Sequence, residues 1–259
     1  MRIPAIIGHR GARACAPENT LAGLAEAARQ GARWVEFDVK LTRDNVPILM
    51  HDDSLARTTG ADRPVAETDF GDLGGLDTLP AFRVRYPEAG RAFVARHGDA
   101  PARIPTLEAA LRLAARLDLG VNIEIKPCPG RARETAAIAL GIARLVWPGS
   151  HPPPLVSSFS FEALAVARRV APDWPRGLLL DRVPPNWRAP IDRLDAATID
   201  VDAAQLTPDR VAALREAGRP ILAYTVNAPA RARQLFRWGV DAIFTDRPQL
   251  LATATRQGE

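Results

Sequence analysis

Cysteine and lysine are scarce in this sequence, and long apolar runs are absent. The 259 residues include only two cysteines, Cys15 and Cys128, and neither has a CxxC partner. This usage excludes a disulfide-stapled scaffold and fits a reducing compartment, so we expect the cytoplasm. No run of about 18 apolar residues occurs, which argues against a membrane span. The first residues lack the basic start and apolar stretch of a signal peptide, so we expect none.

Lysine supplies only Lys40 and Lys126 of the 34 basic residues, and arginine supplies the rest. The formal net charge is +4. The arginines are scattered over predicted helix faces and do not cluster with aromatic residues, as they would in a nucleic-acid footprint. We therefore expect no nucleic-acid partner and no stable membrane insertion. Because lysine is so rare, Lys126 beside Glu124 stands out.

What the sequence does contain is a regular alternation of strands and helices. About eight strand–helix units in one domain of 259 residues predict an α/β fold, a (β/α)8 TIM barrel. An open doubly wound sheet is the alternative, although no GxGxxG motif follows a strand. The predicted strands lie at 3–8, 33–41, 46–50, 120–126, 154–157, 176–180, 197–201, 220–226 and 240–245. The later predicted helices lie at 131–146, 160–170, 207–217, 227–238 and 247–255, with a loop or short helix at 183–193.

Residues 54–103 interrupt this alternation with many glycines and prolines. The segment is too long for a simple connection, so we predict an inserted subdomain or lid over the site. A regular helix pattern resumes at Ile104-Pro105-Thr106-Leu107-Glu108. The chain is thus predicted to be a single barrel domain, 1–259, with a small insertion after the second barrel strand.

Ionisable side chains follow four apolar segments at the points where the predicted strands end. A barrel enzyme builds its site in this way, from the carboxyl ends of several strands. The residues are His9, Arg10, Glu36, Asp38, His51, Glu124 and Lys126.

Three of these residues are carboxylates that could share a metal ion. Side chains two apart on a strand point to the same face, so Glu36 and Asp38 point together, and so do Glu124 and Lys126. Clustered, partly buried carboxylates repel one another and lose hydration, and a divalent cation would remove that cost. Oxygen-only ligands suit Mg²⁺ or Ca²⁺. The alternative is that Glu36 and Asp38 pair with arginines at a strand edge.

The two histidines and two cations suit the chemistry of a phosphate ester. A histidine taken alone is more often structural, but His9 and His51 at two strand ends can divide the roles of general acid and base. A guanidinium at Arg10 forks onto two phosphate oxygens, and Lys126 supplies a point charge. Alternatively, Arg10 is a surface residue and Lys126 pairs within its own strand.

With these residues in place, the sequence resembles the glycerophosphodiester phosphodiesterase family over nearly its whole length. The motifs that carry the resemblance are His9-Arg10-Gly11-Ala12 with Pro17-Glu18-Asn19-Thr20, Glu36-Phe37-Asp38, Met50-His51-Asp52, Ile104-Pro105-Thr106-Leu107-Glu108, Asn122-Ile123-Glu124-Ile125-Lys126, Ser158-Phe159 and Thr245-Asp246-Arg247-Pro248.

The resemblance implies a TIM barrel with an insertion after the second strand. It further implies a divalent cation on Glu36, Asp38 and Glu124, the acid/base pair His9 and His51, and phosphate contacts from Arg10 and Lys126. One position departs from the family pattern: the usual W-T-V-N is Tyr224-Thr225-Val226-Asn227 here. Because that position normally lines the pocket, we expect Tyr224 to alter the contact with glycerol or the alcohol.

Three functions compete. The first is metal-dependent hydrolysis of a small-molecule glycerophosphodiester to sn-glycerol 3-phosphate and an alcohol. The second is a phospholipase-D-like reaction on lysophospholipids that forms a cyclic phosphate, which apolar insertion residues such as Phe82 and Phe93 would favour. The third is a phosphate-ligand binding module without turnover, against which both histidines argue. The sequence does not determine which alcohol head group is preferred, whether the cation is Mg²⁺ or Ca²⁺, or which histidine acts as the acid. It also leaves the oligomeric state open.

Overall fold

Nine strands form one sheet in the computed structural model, which describes residues 3–249. Eight of them are parallel and close on themselves, because the first strand pairs with both the second and the last. The closure confirms the barrel and excludes the open doubly wound sheet. The remaining strand, β3, lies antiparallel on β2. The strands are β1 (Ile6–Gly8), β2 (Trp34–Leu41), β3 (Pro47–Leu49), β4 (Gly120–Ile125), β5 (Leu155–Ser158), β6 (Arg176–Leu180), β7 (Thr198–Asp202), β8 (Ile221–Tyr224) and β9 (Ala242–Thr245).

Within residues 3–249, ten helices accompany the sheet. They are α1 (Leu21–Arg29), α2 (Ala56–Thr59), α3 (Leu79–Arg85), α4 (Pro87–His97), α5 (Leu107–Arg116), α6 (Ala132–Val146), α7 (Phe161–Val170), α8 (Arg188–Leu194), α9 (Pro208–Arg215) and α10 (Pro229–Trp238). Short 3₁₀ turns occupy Val65–Glu67, Phe70–Leu73 and Ala203–Gln205. Four of the helices begin at a hydroxyl residue whose side chain accepts a backbone N–H of the first turn, which satisfies an otherwise unpaired donor.

Alternation along β2 shows how the barrel separates its core from its site. Val35, Phe37 and Val39 are fully buried in the apolar cluster that the strands share with helices α1, α5 and α6. Glu36 and Asp38, on the opposite face, project into the barrel. A one-residue shift of register would bury these charges under the helices, so the apolar face fixes the direction of the acidic face.

The insertion folds around a small core of its own. Helices α3 and α4 pack against each other, and Leu79, Phe82 and Phe93 are buried between them. Gly90 allows the close contact, because a Cβ there would lie 2.9 Å from Cγ of Arg83. Glu26 of α1, 1% exposed, joins the insertion to the barrel through Arg96 at 3.4 Å. The segment predicted only as irregular is therefore substantially helical.

The sequence-predicted elements agree with the structure to within a few residues. The predicted strand at 176–180 and helix at 160–170 correspond to β6 and α7. Thr20 caps α1, because its side chain accepts the backbone N–H of Gly23. The predicted helix at 247–255 lies largely outside the described residues. Among residues 3–249 no helix has both the length and the apolar character needed to cross a membrane.

Candidate active site

A cavity of about 170 Å³ opens at the carboxyl ends of the barrel strands. Every site residue predicted from sequence lines it except Asp38, which is 1% exposed and lies behind the surface. The strands therefore bring together groups separated by more than 200 positions in the chain. The lining residues include His9, Arg10, Arg13, Glu36, His51, Asn122, Glu124, Lys126, Phe159 and Tyr224.

The turn after β1 is tight, and it fixes His9 and Arg10. Arg10 and Gly11 have φ of 48° and 84°, in the left-handed region that glycine favours. A Cβ on Gly8 would lie 2.3 Å from the carbonyl oxygen of Gly11, so the turn requires glycine there too. The Arg10 backbone N–H donates to Oε2 of Glu36 at 2.9 Å. The turn is thereby bonded to the acidic face of β2.

Glu36, Asp38 and Glu124 each offer an oxygen within 4.8 Å of the others. The parallel pairing of β2 with β4 places Asp38 directly beside Glu124. All three carboxylates are buried, and Oε1 of Glu36 has no hydrogen-bond partner in the described part of the chain. Burial, together with repulsion from Asp38, raises the pKa of Glu124 to about 7 and holds that of Glu36 well above its usual range.

The donor set fits a hard divalent cation. All the offered ligands are carboxylate oxygens, and an orphaned oxygen of Glu36 is among them. The cluster is costly to ionise without a compensating charge, as the raised pKa values of Glu36 and Glu124 indicate. The resemblance noted in the sequence implies such a cation, and the buried acidic triad that would hold it is present.

Two cations and an amide surround Asp38 and keep it ionised. Arg10 Nε lies 3.2 Å from Oδ2, and Lys126 Nζ lies 3.5 Å from Oδ1. Asn19 donates to Oδ2 at 2.8 Å. Burial opposes ionisation, but Arg10 and Lys126 outweigh it and hold the pKa of Asp38 below its usual range. Arg10 is only 7% exposed, so it is not a surface residue, whereas Lys126 does pair with Glu124 of its own strand at 2.8 Å.

His9 is oriented by a carboxylate from the far end of the chain. Its Nδ1 lies 2.7 Å from Oδ1 of Asp246, which follows β9. Asn227 donates from Nδ2 to the other oxygen of Asp246 at 2.7 Å. Burial lowers the pKa of His9, and the bond to Asp246 opposes that effect. Because Nδ1 is engaged, Nε2 is the nitrogen left for chemistry.

His51 has a separate carboxylate, held in a larger charge network. Its Nδ1 lies 2.6 Å from Oδ1 of Asp52, whose second oxygen accepts from Arg57. Arg57 also donates twice to Glu18, at 2.7 and 2.9 Å. Glu18 bonds Arg10 at 2.8 Å, and these partners keep its pKa low despite burial. The network thus ties the insertion to the turn that carries His9. Burial lowers the pKa of His51 itself.

Aromatic side chains close the side of the cavity away from the insertion. Phe159 and Tyr224 meet edge to face with ring centroids 5.8 Å apart. Lys126 Nζ lies 5.1 Å from the centroid of Phe159. The Tyr224 hydroxyl is buried and has no hydrogen-bond partner among residues 3–249. Tyr224 is therefore at the cavity, as predicted, with a free polar group.

Sequence reasoning did not assign roles to several residues that the structure places in the site. Asp246 and Asn227 orient His9, Asp52 contacts His51, and Asn19 supports Asp38. The sequence did carry a signal for two of these roles, since Asp52 adjoins His51 and Asp246 follows an apolar strand. The position of a carboxylate at a strand end, however, does not indicate which histidine it will contact.

Comparison with known proteins identifies the chain. The model of the glycerophosphoryl diester phosphodiesterase family matches residues 9–250. The chain belongs to this family. It is accordingly a phosphoric diester hydrolase, and the resemblance carried by the motifs is confirmed.

Relatives with this name are similar over nearly their whole length. The glycerophosphodiester phosphodiesterase of Caldanaerobacter subterraneus is 29% identical over 259 residues, covering 98% of each chain. That of Bacillus subtilis is 28% identical, covering 94% of this chain and 84% of its own. An Oleispira antarctica phosphodiesterase, solved with the product sn-glycerol 3-phosphate, is 34% identical with a TM-score of 0.88 and covers 98% of this chain and 97% of its own.

Proposed function

We propose that this phosphodiesterase hydrolyses glycerophosphodiesters to sn-glycerol 3-phosphate and an alcohol, with a divalent cation and with His9 and His51 as the acid–base pair. One observation carries the proposal: an acidic triad and two carboxylate-oriented imidazoles border a single cavity. The sn-glycerol 3-phosphate in the Oleispira antarctica structure supports the choice of substrate. The cavity of about 170 Å³ is of a size for one small polar half of a diester.

Glu36, Asp38 and Glu124 would hold the divalent cation, Mg²⁺ or Ca²⁺. Such an ion supplies positive charge that stabilises developing charge on phosphoryl oxygens. Phosphoryl transfer depends chiefly on this kind of electrostatic stabilisation and on positioning.

Arg10 and Lys126 bind the phosphate. Both are fixed by Asp38 within the site, and both line the cavity. The preformed geometry means that little side-chain entropy is lost when the substrate arrives. Tyr224 offers its hydroxyl to a glycerol or alcohol oxygen, since that group has no partner within residues 3–249.

His9 and His51 transfer the protons. Each presents Nε2 because its Nδ1 contacts a carboxylate, Asp246 or Asp52 respectively. One imidazole takes the proton of the attacking group, and the other protonates the leaving alkoxide. Attack by water gives sn-glycerol 3-phosphate directly, whereas attack by the glycerol 2-hydroxyl gives a cyclic phosphate that water opens in a second step. Burial lowers both pKa values, which favours the neutral imidazole that a base requires.

The phospholipase-D-like alternative receives less support. The apolar insertion residues that would favour a lipid chain are largely internal: Leu73, Phe82 and Phe93 are 3%, 6% and 4% exposed. They mainly stabilise the insertion, and none of the three lines the cavity at the strand ends.

A product analysis tests the proposal. The protein is incubated with glycerophosphoethanolamine, with or without Mg²⁺ or Ca²⁺, and ³¹P NMR follows the products. We expect sn-glycerol 3-phosphate only with the metal, and none after EDTA. A cyclic phosphate from lysophosphatidylcholine would favour the phospholipase-D-like reaction, and tight product binding without turnover would favour the binding module.

The compartment that we propose is the cytoplasm. Cys15 and Cys128 are both free thiols, which fits a reducing environment.

A further inference from the structure

We propose that the alcohol half of the diester lies in a groove between the β1–α1 loop and the insertion, and that this groove selects alcohols carrying a carboxylate or phosphate. This inference rests on the proposed function and names the substrate class within it. The groove measures about 540 Å³, and its walls come from the two segments that the Glu18 network joins.

The groove adjoins the catalytic cavity. Arg13 lines both, and its Nε bonds Glu18 at 3.0 Å while Nη1 lies 3.8 Å from Asp246. Arg57, which lines the groove, holds Asp52 against His51. A diester whose phosphate lies at Arg10 and Lys126 can therefore extend its alcohol past Arg13 into the groove.

The charges that line the groove are mainly positive. Three guanidinium groups border it, those of Arg13, Arg57 and Arg85, against one carboxylate, that of Glu18. Glu18 and Asp52 already engage Arg13 and Arg57. Arg85 is different. Its Nε donates to the Tyr86 hydroxyl at 3.2 Å, but no carboxylate is paired with it in the part of the chain described, and its side chain is exposed. Arg85 is thus the cation available to an anionic substituent.

Two of the aromatic rings that border the groove and the cavity, those of Tyr86 and Phe159, are unsuited to a quaternary ammonium group. Such groups are recognised by the open faces of aromatic rings. The Arg85 guanidinium lies 5.5 Å from the centroid of Tyr86, and Lys126 Nζ lies 5.1 Å from that of Phe159. Phe82 is 6% exposed and packs its ring against Tyr86 and Phe93. A choline cation in the groove would therefore meet the Tyr86 ring, which already contacts a protein cation, and a Phe82 ring that is almost fully buried.

A matched pair of substrates isolates the charge. Glycerophosphoserine differs from glycerophosphoethanolamine by one carboxylate on the same alcohol skeleton. We expect kcat/KM to be about two- to fivefold higher for the serine compound at low ionic strength, the range that an exposed ion pair provides. The ratio should fall toward one at 0.5 M NaCl, because salt screens exposed charges. Glycerophosphocholine should give no higher value than the ethanolamine compound.

Two substitutions assign the effect to Arg85. Arg85→Gln should bring the serine-to-ethanolamine ratio close to one, and Arg85→Glu should invert it. Arg91→Gln removes an exposed arginine of α4 that lines a different groove, so it should leave the ratio unchanged. Melting curves verify that each variant is folded.

The inference and the proposed function fail in different ways. A wild-type ratio of one or less, or equal changes from Arg85→Gln and Arg91→Gln, overturns the anionic groove while turnover of glycerophosphoethanolamine persists. Absence of turnover with every glycerophosphodiester overturns the proposed function, and the groove assignment with it.

Discussion

Nδ1 of His9 lies 2.7 Å from Oδ1 of Asp246, although 237 residues separate the two in sequence. The barrel closes between β1 and β9, which pair Gly8 with Thr245, and this closure creates the contact. The relationship resembles the orienting carboxylate of a catalytic triad, which fixes the tautomer and direction of an imidazole. Asp246 is therefore a positioning residue for His9.

Asp246→Asn tests that role. Asn227 donates to Oδ2 of Asp246, so an asparagine would keep its oxygen toward Asn227 and turn its amide group toward His9. The amide would donate to Nδ1 and force the proton onto Nε2, the wrong tautomer for a base. We expect kcat to fall by about 10²-fold or more, with little change in melting temperature. The control is Asp62→Asn, which changes an exposed residue of the insertion. An unaltered pH–rate profile of Asp246→Asn would contradict the positioning role of Asp246.

His9→Ala and His51→Ala test the acid–base pair. Each should lower kcat by about 10²–10⁴-fold, the usual contribution of general acid or base catalysis. The double variant should lose less than the product of the single losses, because the two act together.

The leaving group then distinguishes the two histidines. A nitrophenyl phosphodiester needs little protonation of its leaving group, so it should rescue the variant that lost the acid and not the one that lost the base. If both variants keep nearly wild-type kcat on glycerophosphoethanolamine, the two-histidine mechanism is wrong.

Glu124→Gln tests the metal site by stability as well as activity. Burial and Asp38 raise the pKa of Glu124 to about 7, so its charge at pH 8 opposes folding in the absence of metal. We expect the metal-free variant to melt above the metal-free wild type at pH 8. Added Mg²⁺ or Ca²⁺ should raise the melting temperature of the wild type more than that of the variant, because only the intact triad gains the full binding energy, about 2.7 kcal/mol at 100 times Kd.

The control for this experiment is Glu108→Gln, which removes an exposed carboxylate of α5 that is paired only with Arg112. It should keep the full metal-induced shift. Equal shifts in wild type and Glu124→Gln would refute the assignment of Glu124 as a ligand.

The buried carboxyl group of Asp200 should make the stability of the protein depend on pH. It is fully buried on β7, and neither carboxylate oxygen has a hydrogen-bond partner among residues 3–249. Burial raises its pKa to about 7. The folded state therefore binds a proton that the unfolded chain releases near pH 4, and the free energy of unfolding falls as pH rises from about 4 to 7.

Asp200→Asn should remove this dependence. At pH 8 we expect the variant to be more stable than wild type by at most about 4 kcal/mol, since three pH units correspond to that amount. At pH 4 the difference should nearly vanish, because the wild-type carboxyl is then protonated in the folded state and about half protonated in the unfolded chain. Chemical denaturation at the two pH values measures it, and an equal difference at both would contradict the raised pKa.

The sequence by itself indicated the barrel and most of the charged residues that line the cavity. Period-two alternation fixed the common direction of Glu36 and Asp38, because adjacent strand side chains point to opposite faces. The apolar strands ending in His9, His51 and Lys126 indicated which edge of the sheet would carry the site. These are local signals, carried by a few neighbouring residues.

Only the tertiary structure decided which charges meet. Asp246 contacts His9, and Glu18 connects Arg10 with Arg57 of the insertion, through pairings that depend on barrel closure and on the packing of α2. The helices of the insertion could not be predicted from local sequence either. They are short, and they gain their stability from the core that Phe82 and Phe93 share. Local sequence encodes backbone geometry and the face to which each side chain points. A contact between residues hundreds of positions apart forms only when folding brings the chain ends together, at a cost in chain entropy that local sequence does not reveal.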